Sequence, residues 1–116
     1  MSDIQILTDT LKQFRNEREW EQFHNPKDLA LAISVEAGEL LEVFLWKSSE
    51  DAKIEKVREE LSDVLAFSLL LADKYGFDVK EIVLEKIKKN AEKYPVHKAK
   101  LRSLTTPPDA SSAITL

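Results

Sequence analysis

The chain has 116 residues, 43% hydrophobic and 33% charged, with a net charge of −4, two glycines, four prolines and no cysteine. That length suits one domain with one core, and the scarcity of glycine and proline suits an all-α protein. Disulfides and thiolate metal sites are excluded, no stretch approaches the roughly 20 apolar residues of a membrane span, and the acidic balance argues against a nucleic-acid backbone as partner.

The start, Met1-Ser-Asp-Ile-Gln, lacks the basic and apolar regions of a secretory leader, so a cytoplasmic location is expected. The first predicted helix runs from Asp3 to Trp20, with Ile4, Leu7, Leu11 and Phe14 at spacings of three and four. A connector leads to Asn25-Pro26, a cap followed by proline at the first helical position, and the second helix continues to Lys47. Ser48-Ser49 is a short break, with Ser49 as the cap of a third helix that reaches Tyr75 and stops at Gly76. Asp78-Val-Lys-Glu81 reads as a capping box opening a fourth helix, which Pro95 terminates. Residues 1–98 are therefore expected to form the domain. Residues 99–116, rich in threonine, proline and serine and with little periodicity, are expected to form a mobile tail.

Two acid pairs stand out against this frame. Glu36 and Glu39 are three residues apart, as are Glu60 and Asp63, and each pair shares one helix face. Leu29, Ile33, Leu40 and Val43 flank Glu36 on the helix wheel, while Val57, Val64, Phe67 and Leu71 flank Glu60. Ionised carboxylates inside an apolar stripe are costly unless a positive charge compensates them. The short break makes the second and third helices antiparallel neighbours. The first pair is centred about 11 residues before the break and the second about 13 after it, which at about 1.5 Å per residue leaves them roughly 3 Å out of step. Four carboxylates so gathered cannot all ionise without a counter-charge. All-oxygen ligation selects a hard cation, magnesium first and manganese second, and magnesium commonly completes its shell with substrate phosphates. Glu42 and Glu59 lie near the pairs but off the stripe centres, and read either as residues backing the acid ligands from outside or as plain surface. A di-iron centre is not expected, because neither histidine, His24 or His97, follows a glutamate at the Glu-x-x-His spacing.

On the fourth helix, Lys86, Asn90 and Lys93 fall on one face, followed by Tyr94. This pattern describes either a ladder for phosphate oxygens or a solvated, dipole-favoured helix end. From Val64 to Ala72 the third helix is apolar on every side except at Ser68. A helix apolar all round must be surrounded, so self-association is expected.

These residues resemble the MazG-like all-α nucleoside triphosphate pyrophosphohydrolases, and within them the dCTP pyrophosphatase branch. The likeness rests on Arg18-Glu-Trp20-Glu-Gln-Phe-His24-Asn-Pro26, on Glu36-x-x-Glu39 continuing to Trp46, on Glu59-Glu60-Leu-Ser-Asp63, and on Asn90-x-x-Lys93-Tyr94-Pro95. It implies a four-helix MazG-like bundle assembled as a dimer or a dimer-of-dimers tetramer. It also implies hydrolysis of the α–β bond of a deoxynucleoside triphosphate, dCTP or a related pyrimidine, to the monophosphate and pyrophosphate. Carried over residue by residue, Glu36, Glu39, Glu60 and Asp63 would be both magnesium ligands and catalytic groups. Trp20, His24, Trp46 and Phe67 would line the nucleoside pocket, and Asn90, Lys93 and Tyr94 would meet the triphosphate. Phe67 can stack but cannot hydrogen-bond. The alternative is a non-catalytic helical oligomer whose acids hold a structural cation or a basic partner.

Overall fold

A computed structural model of the chain describes residues 1–98 and Lys100, so the expected tail at 99–116 lies, Lys100 apart, outside the described residues. The architecture is all-α: α1 (Asp3–Glu17), α2 (Pro26–Glu42), α3 (Ile54–Lys74) and α4 (Val79–Lys93), with no strand among the described residues. Short 3-10 turns occupy Trp20–Phe23 and Ser49–Asp51. The chain divides into two compact units, Met1–Val79 with α1 to α3, and the residues from Lys80 onward with nearly all of α4.

In the first unit α2 and α3 form the principal helix pair, with α1 laid against α3. Helix α1 opens on the Ser2 hydroxyl, which accepts from the Gln5 amide at 3.1 Å. Its buried face carries Thr8 and Arg15, whereas Leu7 and Phe14 of the expected stripe are about half exposed. The periodicity gave the helix and half of its stripe: Ile4 and Leu11 are partly buried beside Thr8 and Arg15, while Leu7 and Phe14 turn outward. Lys12 of α1 meets Asp73 of α3 at 3.4 Å. The helix ends at Glu17, three residues before the expected Trp20, because Glu19 adopts a left-handed backbone (φ 55°) that no α-helix can continue.

Helix α2 begins as expected. The Asn25 side chain accepts from the Asp28 amide at 2.9 Å, and Pro26 takes the first helical position. Leu29, 1% exposed, is the most buried side chain of the unit. The helix stops at Glu42, five residues short of the expected Lys47. Tight turns follow, with the amides of Val43, Phe44 and Leu45 each donating three residues back, and Trp46 then turns left-handed (φ 62°). Ser49 does not cap α3 but opens the short 3-10 turn, with the Ser48 hydroxyl donating to Asp51 at 2.9 Å, and α3 starts at Ile54.

The expected stop of α3 is present in full. Gly76 is left-handed (φ 67°), its amide donates to the Asp73 carbonyl, and the Phe77 amide donates to that of Ala72. This is the paired bonding of a Schellman cap. Leu70 and Ala72 are buried beneath it. Helix α4 opens directly after Asp78 and ends two residues before Pro95; along it Val79 and Asn90 are partly buried and the other residues exposed.

Candidate metal and nucleotide site

Glu36 lies mid-way along α2, and Glu60 and Asp63 lie one turn apart in the first half of α3. Each of the three offers a carboxylate oxygen, and these oxygens lie within 4.8 Å of one another. The convergence follows from the short 43–53 connection, which folds α3 back along α2 so that positions equally far from the bend meet. Glu39, one turn beyond Glu36, falls outside this tightest group, yet its charge acts on both Glu36 and Glu60. The four predicted acids therefore form one neighbourhood, three as a tight cluster and the fourth at its side.

Its electrostatics are those of an uncompensated negative site. Burial, followed by the contact and like charge of Glu39 and the charges of Asp63 and Glu60, pushes the Glu36 carboxyl up to about 7. Glu60 is raised for the same reasons, burial first and then Glu39 and Asp63. One oxygen of each, Glu36 Oε2 and Glu60 Oε2, is shielded from solvent and has no hydrogen-bond partner among the described residues. A buried acceptor without a donor is destabilising. A cation with oxygen ligands at roughly 2.0–2.6 Å would satisfy both at this spacing. The donor set and the orphaned oxygens thus fit a hard divalent ion. Glu59 pairs with Lys56 at 3.5 Å on the surface, and Glu42 is exposed.

Four residues beyond Asp63, Phe67 is half-buried and meets the His24 ring edge-on, with centroids 6.2 Å apart. Burial, then the charges of Arg15 and Lys74, hold the His24 imidazole below its usual pKa against an opposing Glu21. Trp20 lies in the 3-10 turn rather than on α1. Its ring meets Phe14 edge-on at 5.8 Å, and the Arg18 guanidinium stands 3.6 Å over the Phe14 ring. Trp46 is 99% exposed, a large aromatic face held out by a left-handed turn. In the second unit the Lys93 ammonium lies 5.3 Å from the Tyr94 ring, whose residue donates its amide to the Asn90 carbonyl at 2.7 Å.

Sequence reasoning missed the charged group beside His24. Arg15 is only 3% exposed and pairs with Glu21 at 3.6 Å, and Glu21 also takes Lys74 of α3 at 3.6 Å. The available signal was the placement of Arg15 one turn after Leu11 and two after Thr8, on the face that proves to be buried.

Residues 31–104 match the model of the MazG-like family. The chain is 41% identical over 93 residues to dCTP pyrophosphatase 1 of Mus musculus, covering 73% of this chain and 55% of that one. It is 39% identical over 99 residues to dCTP pyrophosphatase 1 of Homo sapiens, covering 78% and 58%. The chain thus spans little more than half the length of these curated relatives. A crystal structure of a pyrophosphatase from Archaeoglobus fulgidus superposes with a TM-score of 0.74 at 40% identity, covering 82% of this chain and 94% of that one. A family match over more than half the chain, a shared fold at that identity, and paired acids on two facing helices agree: this chain belongs to the MazG-like family, on the dCTP pyrophosphatase branch.

Proposed function

We propose that this protein is a magnesium-dependent nucleoside triphosphate pyrophosphohydrolase. Its expected substrate is dCTP or a related pyrimidine deoxynucleotide, which it converts with water to the monophosphate and pyrophosphate. The single observation that carries this reading is the meeting of Glu36, Glu60 and Asp63 within 4.8 Å, with buried, unpartnered oxygens on Glu36 and Glu60. The names of the relatives point the same way, as pyrophosphatases of dCTP.

The reaction breaks the bond between the α-phosphorus and the bridging oxygen and forms one from water to that phosphorus, with loss of the water's proton. When bound, a divalent cation supplies charge neutralisation of phosphate oxygens and acidification of water. Glu36, Glu39, Glu60 and Asp63 would hold such an ion between α2 and α3, with the two helices fixing the spacing of the carboxylates. Trp20, Trp46 and Phe67 offer stacking faces, and His24 offers a hydrogen-bonding edge. Asn90, Lys93 and Tyr94 are proposed as phosphate ligands on chemistry alone, being amide, ammonium and phenol donors.

We further propose that the working form is a homo-oligomer, a dimer or a tetramer, in the cytoplasm. Leu31, Val35 and Leu41 on α2 and Leu61 and Leu65 on α3 are all more than two-fifths exposed. A monomer seldom leaves so much apolar helix surface uncovered. No helix among the described residues is long and apolar enough to cross a membrane.

A panel of NTPs and dNTPs with magnesium, scored separately for pyrophosphate and orthophosphate, tests the proposal. Pyrophosphate in step with monophosphate, highest with a pyrimidine dNTP and abolished by chelator, is the expected result. Orthophosphate with a diphosphate product, or full activity in excess chelator, would refute it.

A further inference from the structure

The connector between α1 and α2 carries two of the residues proposed for the nucleoside, Trp20 and His24, and has little structure of its own to hold them still. Its 3-10 turn, Trp20–Phe23, is four residues long with none of them buried. It is entered through Glu19, whose left-handed backbone (φ 55°) persists in a non-glycine residue only where the surroundings over-determine it. The restraint therefore has to come from the helices on either side.

Glu21 supplies the link. Its Oε1 lies 3.6 Å from the Arg15 guanidinium of α1 and 3.6 Å from the Lys74 ammonium of α3. Neither cation is an ordinary surface charge, since the Arg15 side chain is 4% exposed and that of Lys74 24%. A guanidinium so buried needs a counter-charge, so the pair is held from the arginine's side as firmly as from the glutamate's. The main chain carries the restraint onward, because the His24 amide donates to the Glu21 carbonyl at 2.9 Å. His24 in turn meets Phe67 of α3 edge-on, with centroids 6.2 Å apart. Phe67 and Lys74, seven residues apart, share one face of α3 at a separation of about 10 Å. The connector is pinned to one stripe of α3 at two points, by a ring contact at one and by charge at the other, with α1 as the third anchor. Beside Lys74, Asp73 takes Lys12 of α1 at 3.4 Å, so neighbouring opposite charges in the last turn of α3 hold α1 and the connector together.

We propose that Glu21 is a positioning residue for the nucleoside end of the site, its carboxylate locking the connector to Arg15 and Lys74 so that Trp20 and His24 stand in place before a nucleotide arrives. The inference deepens the nucleotide reading above and rests on it. Lys74 follows Asp63 by eleven residues, roughly 16 Å along α3, which puts its charge at the lock rather than at phosphates gathered by the acids. Binding residues set in advance raise affinity by the fraction of time they are in place and leave the chemical step alone. Loosening the lock therefore raises KM and spares kcat.

The test reads the connector directly. The chain has two tryptophans, so Trp46→Phe leaves Trp20 as the sole indole fluorophore. In that background, anisotropy and acrylamide quenching of Trp20 are measured for the full chain, for Glu21→Gln and for Lys74→Met, each shown to be folded by circular dichroism. Both variants are expected to lower the anisotropy and raise the quenching. With Trp46 intact, Glu21→Gln is expected to raise KM for dCTP about 5- to 30-fold at a kcat within about twofold of the wild type, the scale of one lost charge-assisted contact read as a smaller competent fraction. Lys74→Met should act in the same direction, and the double variant should match Glu21→Gln, because both changes break one link. Unchanged Trp20 behaviour in folded variants, a loss confined to kcat, or additive losses in the double variant would overturn the proposal. Should Glu21→Gln fail to fold, Lys74→Met decides, since it leaves the pair of Arg15 with Glu21 in place. The two arms separate the readings. A wild type that cleaves dCTP, with variants that match it in Trp20 behaviour and in KM, contradicts the lock and leaves the hydrolase standing. One that cleaves no dNTP contradicts the hydrolase, while a loosened Trp20 in the variants would still support the lock.

Discussion

Glu36 shows most directly what the acid cluster does to its members. In the folded chain burial and its acidic neighbours bring this carboxyl to about 7, against 4.5 as its ordinary value. Between those two pH values the folded state binds more protons than the unfolded one, so stability falls as pH rises through this window. Glu60, raised in the same direction, adds to the slope. The metal-free protein is therefore expected to melt at lower temperature at pH 7.5 than at pH 5, and Glu36→Gln should flatten the profile. Added magnesium should restore stability chiefly at the upper end, where the carboxylates are ionised, because binding to the native state alone shifts the unfolding equilibrium. Melting curves with and without chelator across pH 5–8 measure both. Substitution at this scale should also separate chemistry from folding. Glu36→Gln, Glu39→Gln, Glu60→Gln and Asp63→Asn are each expected to lower turnover by about tenfold or more, as loss of groups that hold the reacting centre does. Their metal-free forms should stay folded, since each relieves like-charge repulsion. Four active variants, or four unfolded ones, would contradict the assignment.

At the scale of elements, what was legible in the sequence was what local chemistry decides by itself. Asn25-Pro26 capped α2 as read, Gly76 stopped α3 as read, and three of the four paired acids, Glu36, Glu60 and Asp63, came together because helical period and the return of α3 along α2 leave little choice. The end of α1 was misread because of a left-handed turn at Glu19, whereas α2 gives way to tight turns after Glu42 and meets its left-handed residue, Trp46, only afterwards. Glu19 and Trp46, neither of them a glycine or asparagine, adopt left-handed backbones, so no residue preference announced either turn. Such a conformation costs about 1–2 kcal/mol in a non-glycine residue. Glu19→Gly is accordingly expected to stabilise the protein by about 0.5–1 kcal/mol, read as a shift of the urea midpoint at constant slope. Trp46 carries the same strain and is almost wholly exposed. An exposed indole held on a strained backbone suits use as a stacking face. Trp46→Gly should raise stability and lower kcat/KM for dCTP by about 5- to 150-fold, mostly through KM, the range expected of one lost base stack. Unchanged kinetics would make Trp46 a surface residue without a part in binding. Arg15 was illegible for a different reason: a charged side chain is expected at the surface, and only the packing of α1 on α3 shows that this one is buried.

Across the described residues, few large side chains are deeply buried in a single copy, with Leu29 and Leu70 foremost, while many apolar residues of α2 and α3 face outward. The sequence made the excess of apolar surface visible, but it could not show which faces a single chain covers. Association of copies is expected to cover the rest. Sedimentation should find a dimer or tetramer, and Leu65→Glu, which places a charge in the exposed apolar stripe of α3, should shift it toward monomer with loss of thermal stability. A monodisperse, stable wild-type monomer would contradict this. The central claim, that paired acids on facing helices direct water to the α-phosphorus of a pyrimidine deoxynucleoside triphosphate, has a direct test in isotope position. Hydrolysis of dCTP with magnesium in ¹⁸O-labelled water, followed by mass spectrometry of the products, should place the label in dCMP and none in pyrophosphate, with the yield collapsing in Glu60→Gln. Label in pyrophosphate, a dCDP product, or an undiminished yield in the variant would contradict it.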